Sequence, residues 1–98
     1  MDGWEYCEAE IHVEGHLLGQ KKWLAQVIHF APDGAYRVEK LTTDFVYDPD
    51  RPANARDAMG QVLARLGQKG WELVRYQGTV DGRVREALLK RRSAVATG

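Results

Sequence analysis

The 98-residue chain is 44% apolar and carries 14 Lys plus Arg against 14 Asp plus Glu, the balance of one soluble globular domain with a single core. Zero net charge argues against a general polyanion binder, whose affinity comes from neutralising phosphates, and no apolar run approaches the ~20 residues that cross a bilayer. The start, Met-Asp-Gly-Trp-Glu, has neither a basic nor an apolar leader segment, and the lone cysteine, Cys7, suits a reducing compartment. The expectation is therefore a cytoplasmic protein with no membrane and no nucleic-acid partner.

Residues 4–14 alternate with the two-residue period of a half-buried strand, Cys7, Ala9, Ile11 and Val13 against Glu8, Glu10, His12 and Glu14. After the glycines at 15 and 19, residues 22–30 carry apolar groups at both parities, as a central strand would. Ala31-Pro32-Asp33-Gly34 is turn chemistry, so residues 36–47 should return antiparallel, with a break near Thr42-Thr43. Pro49 and Pro52 then force a loop. Asn54 is placed to cap a helix, with Asp57 in its first turn, and Ala55, Ala58, Met59, Val62, Leu63 and Leu66 recur at helical spacing over about 55–69, with Gly70 as terminator. Residues 71–80 and 83–92 read as two further strands around an Asp81-Gly82 turn, and 93–98 as a flexible tail. The fold class is α+β: a four- to five-stranded, mostly antiparallel sheet in the order β-β-β-α-β-β, one domain over 1–92, with one helix packed on one face.

Trp4-Glu5-Tyr6 at the start, Gly70-Trp71-Glu72-Leu73-Val74 after the helix and Leu88-Leu89-Lys90-Arg91 near the end resemble a widespread family of small uncharacterised prokaryotic domains, a domain of unknown function. The resemblance implies the fold and supplies no chemistry.

Two readings compete for the row Glu8, Glu10, His12 and Glu14. Side chains two apart on a strand project in parallel, so Glu10, His12, Glu14 and His16, completed by His29, could present ligands to Zn²⁺. The blander reading is a solvated sheet face, and it carries more weight because the spacing matches no zinc signature and Gly15 should end the strand. No metal or cofactor is therefore assigned. Asp48, Asp50 and Asn54 fail as a calcium loop, since Met59 stands where the twelfth-position Glu is required. Cys7 falls in the inward row, where a thiol is a packing group, and neither a nucleophile elbow nor a phosphate-cradling loop is present, so enzymatic activity is the less favoured reading and no catalytic residue is assigned.

Charge is distributed unevenly. Residues 1–20 hold Asp2, Glu5, Glu8, Glu10 and Glu14 and no Lys or Arg, whereas 83–92 hold Arg83, Arg85, Lys90, Arg91 and Arg92 against Glu86. Opposed across neighbouring strands or across a subunit boundary, these would set register or assembly. One helix of about 15 residues, roughly 22 Å long, covers one side of such a sheet only. The rings of Trp4, Tyr6, Trp23, Trp71 and Tyr76 are thus expected to form an association interface, giving a homodimer or higher homo-oligomer with scope for a further protein partner. The expected role is a non-enzymatic interaction or assembly module that self-associates through its sheet. The alternative is a small-ligand or metal-binding domain using an aromatic pocket and the His12, Glu10 and His29 region.

Overall fold

The computed structural model describes residues 3–14, 21–48, 50–51, 54–78 and 85–92. The Asp81-Gly82 turn, His16, the side chain of Glu14 and the 93–98 tail lie outside them. Five strands, β1 (Trp4–Glu14), β2 (Lys22–Phe30), β3 (Tyr36–Val46), β4 (Glu72–Gly78) and β5 (Arg85–Arg92), and one helix, α1 (Asn54–Gln68), follow one another as β1-β2-β3-α1-β4-β5. The strands form one antiparallel sheet in the order β3-β2-β1-β5-β4. The α+β expectation holds, with five strands among the described residues, all paired antiparallel.

The β2–β3 turn follows the chemistry of its sequence. Gly34 takes φ +90°, Ala31 N–H donates to Ala35 C=O at 2.8 Å, and Asp33 Oδ1 accepts from Ala35 N–H at 2.9 Å. Further along, the anticipated break in β3 is a bulge. Thr42 faces Leu24 and Val46 faces Lys22, so β3 carries extra residues there, and the buried Thr43 hydroxyl donates to Trp23 C=O at 2.6 Å in place of a regular rung.

α1 begins at Asn54, one residue earlier than its periodicity indicates. The Asn54 side-chain amide donates to Val46 C=O, so this residue also ties the helix start to the end of β3. At the other end Gly70 adopts φ +90°, with Gly70 N–H bonded to Gly67 C=O (3.0 Å) and Trp71 N–H to Leu66 C=O (3.1 Å). These two bonds make a Schellman motif, which satisfies the last helical carbonyls and turns Trp71 back beneath Leu66.

The helix lies chiefly over β3 and β2. Its buried row, Ala55, Ala58, Met59, Val62 and Leu66, meets Cys7, Ala9, Ile11, Ala25, Val27, Ala87 and Leu89 from the sheet, and Trp23 and Trp71 complete this core. Alanines on both sides let the helix approach closely, which excludes water and tightens packing. Trp23 stacks edge-on against Tyr47, centroids 5.5 Å apart. The two tryptophans are 6% and 5% exposed, so the expectation that Trp23 and Trp71 face a partner is corrected: the pairing of Trp23 with Val13 and the turn that follows the helix put both inside the protomer's own core.

Candidate interaction surface

Strand parity divides the site candidates between the two sides of the sheet. Cys7 pairs with His29, Ala9 with Val27 and Ile11 with Ala25, all on the helix side. Trp4, Tyr6, Glu8, Glu10 and His12 therefore point the other way. Continuing the register across all five strands builds the helix-free face row by row. Tyr36, Phe30, Tyr6, Lys90 and Glu72 form one row; Val38, Ile28, Glu8, Leu88 and Arg75 the next; Lys40, Gln26, Glu10, Glu86 and Gln77 the third.

This face is chemically segregated. At one end stand Trp4 (43% exposed), Tyr6 (42%), Phe30 (42%) and Tyr36 (68%), with Val38 beside them. Trp4 is flanked by cations, Lys90 Nζ at 4.3 Å and the Arg92 guanidinium at 5.5 Å from its ring centroid. At the other end Glu8, Glu10, Gln26, Gln77 and Glu86 line a shallow concavity of about 270 Å³ with Arg75 as its cation. Glu10 stands directly opposite Glu86, an arrangement that costs stability because like charges face each other across the strands.

Among the described candidates, the metal ligands do not come together. Glu10 and His12 project from the helix-free face and His29 from the helix side, so the sheet itself separates them. Among the described residues, no group of three His, Cys, Asp or Glu is placed to hold an ion. The expected acid-to-base opposition forms at one pair of the β1–β5 ladder: Glu5 pairs with Arg91, and Arg91 Nε donates to Glu5 Oε2 at 2.5 Å, whereas Glu8 faces Leu88 and Glu10 faces Glu86.

On the helix side, Arg91 also stacks on Trp71 (4.3 Å) and donates from Nη1 to Lys69 C=O at 3.2 Å, a cation at the helix C-terminus. His29 packs on Trp71 from 5.7 Å between centroids and shares a 3.1 Å hydrogen bond with Glu39. Cys7, His29 and Glu39 thus lie close on one side of the sheet in the order a thiol nucleophile would need. The thiol is nevertheless held in its neutral form. Burial, opposed by Arg91 and reinforced by Glu39, pushes its pKa up to about 11, so at neutral pH it stays protonated. Glu39 is held below the usual carboxylate range, first by the hydrogen bond from His29.

Tyr76 follows a bulge at Val74 that puts it on the helix side, opposite Ala87; its hydroxyl accepts from Arg85 Nη1 at 2.5 Å. Of the five rings expected at an interface, Trp4 and Tyr6 belong to the helix-free face, Tyr76 is exposed on the other side, and Trp23 and Trp71 are internal. Sequence reasoning missed Phe30, which stands beside Tyr36. The signal was the turn: once Ala31 closes on Ala35, Phe30 and Tyr36 must stand side by side.

Comparison with family models, with curated proteins and with solved structures returned no match for this chain. No helix among the described residues is long and apolar enough to cross a membrane.

Proposed function

We propose that this protein is a small non-enzymatic interaction module that self-associates by packing its helix-free sheet face against a second copy. One observation carries the reading: Trp4, Tyr6, Phe30 and Tyr36, all at least two-fifths exposed, form a contiguous patch with Val38 on a face that no element of the described chain covers. Contiguous rings of this kind mark association surfaces, since each buried aromatic removes a large apolar area from water. The polar ring around them, Lys90, Arg92, Glu72 and Arg75, has the composition of an interface rim. The buried, protonated Cys7 is compatible with a reducing, cytoplasmic setting and with the absence of thiol chemistry in this role.

Molar mass in solution tests it. The wild-type chain should exceed the mass of one protomer at high micromolar concentration, and Tyr6→Glu, which sets a charge in the middle of the ring patch, should lower that mass. A wild-type chain that stays at one protomer's mass, or a Tyr6→Glu variant that assembles as the wild type does, overturns the proposal. A thermal-shift screen against divalent metals should stay flat.

A further inference from the structure

The edges of the sheet are treated differently. β4, at one edge, is broken by the bulge at Val74, which twists an edge away from further pairing. β3, at the other, is covered over half its length only. Gln61 of the helix accepts from Asp44 N–H at 2.9 Å and Arg65 donates to Thr42 C=O, so side chains from α1 occupy edge groups of residues 42–44. Among the described residues, none covers residues 36–40 in this way. Hydrogen bonding alternates along an antiparallel pair, and Ala31 and Ala35 form a bonded pair. The N–H and C=O groups of Tyr36, Val38 and Lys40 therefore point outward, free to take another strand.

We infer that residues 36–40 of β3 pair antiparallel with the same residues of a second copy, about a twofold axis at Val38, joining two sheets edge to edge. The sequence Tyr-Arg-Val-Glu-Lys is self-complementary in this register. Val38 meets Val38, Tyr36 meets Lys40, and Arg37 meets Glu39 of the other copy, twice over by symmetry. The outward-facing groups of 36, 38 and 40 then fall opposite one another, as a bonded rung requires. Moving the twofold axis one residue either way, a two-residue shift of register that keeps the outward groups opposed, sets Arg37 against Arg37 or Glu39 against Glu39. One of those shifts also runs Tyr36 into residue 42, where Arg65 already binds. Charge and backbone thus select the same alignment.

The contact is an in-plane extension of the sheet, separate from the face-to-face packing proposed above, though it shares with it the premise that this chain self-associates. Amide hydrogen exchange separates the two. In wild-type protein, exchange at Tyr36, Val38 and Lys40 should slow as concentration rises. Arg37→Glu, which sets a glutamate opposite Glu39 at both symmetric positions, should raise the concentration for half-protection by about tenfold or more, while Arg37→Lys keeps it close to wild type. Tyr6→Glu should leave this protection in place. Exchange at these amides that is independent of concentration, or protection that Arg37→Glu leaves unchanged, overturns the edge contact. Mass lost with Tyr6→Glu while these amides stay unprotected overturns the edge contact and leaves the face contact standing; protection that persists when the mass of Tyr6→Glu equals that of the wild type supports the edge contact alone.

Discussion

The two sides of this sheet are made from the same strands, residue by alternate residue, yet they differ in what their side chains accomplish. On the helix side, Cys7, Ala9, Ala25, Val27 and Ala87 are small enough for Met59, Val62 and Leu66 to seat against them, and all are buried. On the other side the intervening positions bear the exposed rings and a belt of charges. Alternation therefore separates folding from association: a substitution on one parity unravels the protomer, whereas its sequence neighbour alters a surface. The two sides differ most at Leu66. Leu66→Ala deletes a fully buried side chain and should destabilise the protomer by about 2–5 kcal/mol, whereas Phe30→Ala should cost under ~1 kcal/mol. Urea unfolding at low micromolar concentration, where mass action adds little stability, measures both. Equal losses at the two positions would show that the helix-free face is already part of the core.

This division was only partly legible beforehand. The strict alternation of residues 4–14 gave β1 its two faces, and Gly70 its helix stop, because both signals are local. β2 was ambiguous: apolar groups at both parities leave Trp23 free to face either way, and only its pairing with Val13 decides. His29 was grouped with Glu10 and His12 for the same reason, although one residue of parity puts it through the sheet. Bulges defeat local reading altogether. The extra residue at Val74 reverses the alternation, so that Tyr76 shares the side of Leu73 despite an odd spacing. The free half of the β3 edge was invisible too, because it depends on Gln61 and Arg65 reaching across from the helix.

A smaller effect arises on the buried side. The Cys7 thiol is pushed up to about 11 from an ordinary 9.0, with burial as the main cause. An acid whose neutral form the fold favours contributes its full stability while both states are protonated. It then loses that contribution as pH rises from 9.0 toward 11, because the unfolded chain ionises first. Wild type should therefore lose more stability than Cys7→Ala across this window. A thiol reagent at neutral pH should modify native protein only as fast as the protein opens. Rapid modification of the folded protein would show that the helix does not seal this side.

The smallest expected effect lies at the margin between the two sides. Glu39 sits on the helix-side parity but near the free edge, partly exposed, and its carboxyl is held below the usual range first by the His29 hydrogen bond. Here the sign reverses. A depressed carboxyl pKa contributes stability that is present above the ordinary carboxylate value and is lost as pH falls through the lower, folded one. Solvent screening keeps that contribution slight for so exposed a group. Removing the hydrogen bond with His29→Gln should remove this part of the acid sensitivity, so the gap in unfolding midpoint between wild type and variant narrows as pH falls from neutral through the ordinary carboxylate value. A gap that stays constant over that range would mean the bond adds nothing to the fold. At high concentration the same acidification also discharges the carboxylate that faces Arg37 of the second copy. Acid sensitivity that grows with protein concentration therefore belongs to the edge, and sensitivity that does not belongs to the protomer.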